Sequence, residues 1–161
     1  MIIRRYDDRD LESIVTLFTE SVRHVNILHY SEEQITAAAP QPPDLARWRK
    51  RIAGIPLWVA EFDGQITGFC GLRGNGHVDL LYTDYRFQRQ GVARALYQQA
   101  EAKTLQQGVR RLFTEASINA RPFFETMGFA MIREQEIEFC GVMFRNYAME
   151  KLVALPGTLS T

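Results

Sequence analysis

Residues 79–96 carry the strongest chemical signal in this 161-residue chain. The loop Gln88-Arg89-Gln90-Gly91-Val92-Ala93 follows an apolar, aromatic and β-branched run at residues 80–83. It opens a segment in which Val92, Ala93, Leu96 and Ala100 recur at helical spacing. That order is strand, short basic loop, helix. The first backbone N–H groups of a helix have no intrahelical partner and sit at the positive end of its dipole. A pyrophosphate accepts several of them where no side chain blocks its approach. Gly91 and Ala93 leave that surface open, and Arg86, Arg89 and Arg94 surround it with positive charge. The expected chemistry is the binding of a phosphorylated compound, although a plain turn with solvated arginines has the same spacing.

The rest of the chain reads as the frame for that loop. Residues 2–6 form a first strand. Asp7 and Asp8 supply capping carboxylates for a helix with Leu11, Ile14, Val15, Phe18, Val22 and Val25 on one face. Ser31-Glu32-Glu33-Gln34 fits a capping box, opening a helix that stops before Pro40. Pro40, Pro42 and Pro43 make a rigid connector to a brief helix containing Leu45, Trp48 and Ile52. Residues 58–62 and 65–72 are strands joined by the hairpin signal Asp63-Gly64. Gly74-Asn75-Gly76 then turns the chain into a fourth strand from His77. Gly108 stops the helix of the loop, and residues 112–116 form a fifth strand. Asn119 is expected to cap a short helix with Pro122 in its first turn and Gly128 at its end. Residues 130–140 and 142–152 read as a closing hairpin around Gly141. Residues 1–155 are expected to form one domain, with 156–161 a frayed tail.

Composition bounds the function. Hydrophobic residues make up 46% and charged residues 24%, as in a soluble globular protein with a sizeable core. Lys+Arg and Asp+Glu both number 19, so no global field draws the chain to nucleic acid or to an anionic membrane, and a basic site must be local. Met1-Ile2-Ile3-Arg4-Arg5 runs straight into charged sequence, unlike a signal peptide. The two cysteines, Cys70 and Cys140, fall in strand-like stretches and are expected to be reduced core residues, in keeping with a cytoplasmic location.

The loop is neither G-x-G-x-x-G nor G-x-x-x-x-G-K-[ST]. It resembles instead the acyl-CoA loop [RQ]-x-x-G-x-[GA] of the GNAT superfamily of N-acetyltransferases. Leu81-Tyr82-Thr83 is similar to the L-Y-V stretch of that family, where the fourth strand bulges and pairs with pantetheine. A second signature, Ala120-Arg121-Pro122-Phe123-Phe124-Glu125-Thr126-Met127-Gly128-Phe129, resembles A-x-x-F-Y-x-x-x-G-F. The resemblance covers the chain from Ile2 to about Leu152. It implies an α/β (α+β) fold, a mixed, mostly antiparallel sheet of about seven strands with about four helices, strands 4 and 5 splaying around the cofactor. It also implies acetyl-CoA (coenzyme A) as co-substrate, no metal, and direct acetyl transfer to an amine. The stretch from His29 through Trp48 to Trp58 is similar to a bacterial subgroup, the YafP-like acetyltransferases.

By this resemblance, Leu81, Tyr82 and Thr83 hold pantetheine and the acyl carbonyl. Gln88, Arg89, Gln90, Gly91, Val92, Ala93 and Arg94 hold the pyrophosphate, and Asn119 lies along the pantetheine arm. Amide formation needs a neutral amine, a path for its proton and an acid for the leaving thiolate. His77 stands where some members of the family carry a glutamate base. Asp79, two residues on, shares its strand face unless a bulge intervenes, and Glu115 on the fifth strand is a third candidate. Phe124 departs from the family, replacing the tyrosine that is often the general acid; Ser117, Tyr82 and Tyr147 are the substitute hydroxyls considered. His24, His29 and Tyr30 cluster near a helix junction, His29 and Tyr30 being candidates to face the acceptor.

The acceptor expected is a small-molecule amine, with no nucleic-acid or membrane partner, and a homodimer is compatible with this reading. The alternatives left open are a non-catalytic acyl-CoA binding or sensing module, a transferase of longer acyl chains, and an unrelated α/β domain binding another phosphate compound.

Overall fold

The computed structural model describes residues 1–25 and 29–154. The expected tail, residues 156–161, lies outside the described residues, as does the side chain of Val25. Strand β1 (Ile2–Arg5) leads into helices α1 (Leu11–Val25), α2 (Glu32–Ala38) and α3 (Leu45–Ile52). Strands β2 (Leu57–Phe62), β3 (Gln65–Leu72) and β4 (Val78–Thr83) follow, then α4 (Val92–Gln106) and β5 (Arg111–Ala116). The chain closes with α5 (Arg121–Thr126), β6 (Ala130–Phe139) and β7 (Val142–Leu152). The strands form two sheets, ordered β1-β2-β3-β4 and β5-β7-β6, antiparallel throughout.

The helix starts follow from local hydrogen bonding. Asp7 and Asp10 close a reciprocal box on a 3-10 turn at the head of α1. Ser31 and Gln34 do the same on α2, at 3.1 and 2.8 Å, and the Asp44 carboxylate accepts from the Arg47 N–H at the start of α3. The expected cap at Asn119 is replaced: the Ser117 hydroxyl oxygen accepts from the Ala120 N–H at 3.1 Å and opens the turn before α5. A serine three residues upstream reaches that amide with a shorter side chain.

Apolar faces bury on both sides of the first sheet. Leu96, Tyr97 and Ala100 of α4 pack on Trp58, Cys70 and Leu72, and this core continues into Leu112 and Met149 of the second sheet. On the opposite face Leu11, Ile14 and Val15 of α1 pack on Val59, Phe69 and Leu80. Each large side chain so buried contributes about 1.5–3 kcal/mol. Burial pushes the Cys70 thiol up to about 12. Cys140 is not a core residue: it stands exposed in the β6–β7 turn at φ 51°, because a two-residue hairpin needs positive φ at its centre.

The two sheets meet where β4 and β5 begin. His77 and Phe113 form a single parallel bridge, the Phe113 N–H donates to the Gly76 carbonyl at 3.0 Å, and the Thr114 hydroxyl donates to the Val78 carbonyl at 2.8 Å. Beyond these contacts the strands belong to separate sheets and diverge, as expected of strands 4 and 5. Gly76 sits at this joint with φ +97°, and a Cβ there runs into the Arg111 carbonyl oxygen. Gly76→Ala therefore meets both backbone strain and a clash with main chain. The expected loss is ~2–4 kcal/mol of unfolding free energy by chemical denaturation; wild-type stability in this variant refutes the description of the joint.

Candidate active site

The loop keeps the geometry that its sequence requires. The Asp84 carboxylate, 5% exposed, accepts from the Arg86 backbone N–H at 2.9 Å and from its guanidinium at 3.0 and 2.7 Å. These bonds hold the Asp84 carboxyl below the usual range, against the opposing effect of burial. Arg86 is thereby tied to the strand end, while Arg89 and Arg94 are exposed. Arg89 and Gly91 have φ of 63° and 80°, and the first helical bond of α4 runs from the Ala95 N–H to the Gly91 carbonyl at 3.0 Å. Successive residues of alternating handedness turn backbone N–H groups toward one concavity, a nest for an anion. Among the described residues no side chain caps α4, and a Cβ on Gly91 has nothing within 4 Å. The loop is open to an anion on that side.

Strand β4 differs from the expectation at its bulge. Leu81, Tyr82 and Thr83 pair in regular register with Cys70, Phe69 and Gly68. The irregularity falls earlier, where Leu72 pairs with Val78 and Gly71 with Leu80, leaving Asp79 as the extra residue. In consequence Val78 and Leu80, two apart, bury on opposite faces of the sheet. The bulge sends the Asp79 carboxylate to Arg51 at 2.7 and 2.9 Å and to Arg73 at 2.9 Å.

Asp79 is thus a link between α3 and the sheet. Burial opposes its ionisation, but the hydrogen bonds and charges of Arg51 and Arg73 outweigh this and lower its pKa. A lowered folded pKa contributes stability that is complete above about pH 3.9 and lost as pH falls through the folded value. Asp79→Asn is expected to lose ~1–3 kcal/mol at neutral pH and to flatten the acid side of a plot of Tm against pH. An unchanged Tm at pH 7 refutes that role.

The parallel start of β4 and β5 brings the other two proton-transfer candidates together. His77 Nε2 lies 2.9 Å from Glu115 Oε1, and the His77 ring stacks on Phe113 at 4.8 Å and 7°. The His77 side chain is 19% exposed and that of Glu115 41%, so the carboxylate faces outward and the imidazole stands behind it.

Glu115 lines a cavity of about 210 Å³ on the α1 side of the splay. Phe18 and Val22 of α1 form one wall, with Tyr82 of β4 beside them. Ile35 and Ala38 of α2 face Ile137, Phe139 and Phe144 of the β6–β7 hairpin. Gln34 joins the two sides: it closes its capping box with one amide atom and donates with the other to the Met143 carbonyl at 2.7 Å. Tyr30 lines the cavity, and its hydroxyl oxygen accepts from the Ile118 N–H at 3.2 Å. His29 and His24 are exposed, and His24 stacks on Tyr85 at 4.1 Å instead of joining Tyr30.

Phe124 is 3% exposed and packs edge-on against Phe123 and Phe129 in the α4-side core. The hairpin residues Ile137, Phe139 and Phe144 and the wall residues Phe18 and Ile35 were not singled out from sequence as lining a site. The one signal for Ile137 and Phe139 is that they stand two apart among the charged residues Glu134, Glu136 and Glu138.

The chain and its fold are similar to known proteins. Residues 26–151 match the acetyltransferase (GNAT) domain. The chain is 35% identical over 147 residues to the N-acetyltransferase YafP of Escherichia coli, covering 91% of this chain and 93% of that one. A crystal structure of a GCN5-related N-acetyltransferase from Rhodopseudomonas palustris superposes with a TM-score of 0.90 at 28% identity, covering 94% of this chain and 95% of that one. The PaiA N-acetyltransferase of Thermoplasma acidophilum, solved in complex with coenzyme A, shares the fold at a TM-score of 0.75 and 18% identity, covering 94% and 98%.

Proposed function

This chain belongs to the acetyltransferase (GNAT) domain family and is an N-acetyltransferase, and from that premise we propose that it moves an acetyl group from acetyl-CoA directly to a primary amine of a small molecule. One observation carries the reading. An open anion nest follows the end of β4, and a cavity between Tyr82 of β4 and Glu115 of β5 is lined by that carboxylate, which is hydrogen-bonded to His77 behind it. The residues present fit coenzyme A, since among the described residues no side chain caps the amides at the head of α4 and none crowds Gly91.

The backbone from Gln88 to Arg94 holds the pyrophosphate, with Arg89 and Arg94 adding charge. Leu81 and Thr83, on the edge of β4 away from β3, hold the pantetheine arm beside Asn119, and Phe124 packs beneath it. The thioester supplies an acetyl group on a good leaving group. Glu115 draws the acceptor amine into the cavity; the ammonium form gives its first proton to solvent, and the Glu115–His77 pair takes up the second as the neutral amine attacks. Asp79, held by two guanidinium groups, positions α3 and is not the base. The apolar walls favour an amine carried on an apolar body, and 210 Å³ suits a small molecule better than a folded protein.

The test is calorimetric titration with acetyl-CoA, coenzyme A and ATP, followed by mass spectrometry of a primary-amine panel and of lysine peptides. Saturable binding of both CoA compounds and acetylation of small apolar amines support the reading. Rapid acetylation of peptides alone overturns the small-molecule acceptor. Binding without turnover of any amine points to an acyl-CoA binding module, for which the missing hydroxyl at Phe124 is the favouring observation.

A further inference from the structure

We propose that Tyr30 is the proton donor to the departing thiolate, from the loop between α1 and α2, in a chain whose α5 offers only Phe124 there. The proposal rests on the transferase reading above. The Tyr30 ring lines the cavity together with Tyr82, Glu115 and Ser117. Its oxygen accepts from the Ile118 N–H at 3.2 Å, just past the end of β5, and the Ser117 side chain lines the same cavity and favours the ionised form of the phenol. With its oxygen accepting from the Ile118 N–H, the hydroxyl keeps its own proton to give.

The rings of the other two tyrosines are held by different neighbours, and Ser117 keeps the turn before α5. The Tyr82 ring packs edge-on against Phe18 and tilted on Phe69. Tyr147 lies under the Arg121 guanidinium at 4.7 Å, and Ser117 is engaged by the Ala120 N–H. Burial raises the Tyr30 pKa, opposed by the bonds from Ile118 and Ser117, so the proton is in place at neutral pH. The same two donors stabilise the phenolate once the proton has left.

The balance is simple. The amine nitrogen bonds to the acyl carbon and loses one proton to the Glu115–His77 pair. The carbon–sulfur bond breaks with its electron pair on sulfur, which takes the Tyr30 proton. The phenolate regains a proton equal to the one the pair releases, so the products are amide and thiol.

The test separates this role from packing by using binding as well as turnover. Coenzyme A and desulfo-coenzyme A are titrated calorimetrically into wild type and Tyr30→Phe at a pH where the thiol ionises. Tyr30→Phe is expected to bind coenzyme A ~10-fold more weakly and desulfo-coenzyme A unchanged. Its kcat for amine acetylation should fall ~10²-fold, with the amine KM within about threefold of wild type. Equal binding ratios and an unchanged kcat overturn the proposal and leave the transferase reading standing. No turnover in wild type overturns both. Should Tyr30→Phe fail to fold, 3-fluorotyrosine at position 30 keeps every hydrogen bond. It should move the alkaline limb of kcat to lower pH, and a limb that stays in place overturns the assignment.

Discussion

Gly91→Glu is expected to remove measurable binding of acetyl-CoA, a loss of ~10²-fold or more, while the protein stays folded. The residue stands before the first turn of α4 at φ 80°, with open space where its Cβ would be. A glutamate there carries its charge to the surface where the first free N–H groups point, repelling a pyrophosphate and itself competing for those donors. The left-handed backbone adds a strain of ~1 kcal/mol, so Tm should fall by only a few degrees. Gly91→Asn is the control. Asparagine tolerates this conformation without charge, and it should keep most of the affinity. Wild-type affinity in a folded Gly91→Glu protein refutes the placement of the cofactor.

The second large effect is expected at the pair on β4 and β5. Glu115→Gln and His77→Ala should each lower kcat ~10²-fold or more, since each breaks the unit that takes the amine proton. Their effects should not add. The double variant is expected to be little slower than the worse single variant, because one proton acceptor can be removed only once. Additive losses assign the proton to another group. Binding of coenzyme A is the control for both variants, since neither residue lies on the loop from Gln88 to Arg94.

These two sites differ in how far they can be read from the residues alone. The loop is local. Its glycine, its arginines and its helix start lie within a few positions of one another, and the physics that makes an anion nest acts over that same span. The pair is not local. Glu115 and His77 are 38 residues apart, and each alone is an ordinary strand residue. Only the parallel bridge of His77 to Phe113 brings them within hydrogen-bond distance. Asp79 shows the opposite case. Alternation in a strand puts it on the face of His77, but the bulge and the arrival of Arg51 from α3 turn it into an ion-pair hub. The helix junction divides in the same way: Tyr30 reaches the cavity, while His24 turns to Tyr85.

What the sequence by itself determined, then, is what short-range forces decide: the capped helices at Asp7 and Ser31, the hairpins at Asp63-Gly64 and around Gly141, and the open turn at Gly91 before α4. The tertiary structure decided which strand slips by a residue, which hydroxyl stands beside Ser117, and which carboxylate meets a histidine and which meets arginines. Those outcomes rest on contacts between residues far apart in the chain. They are chosen by packing of whole faces, where a single bulge reverses the direction of every side chain beyond it.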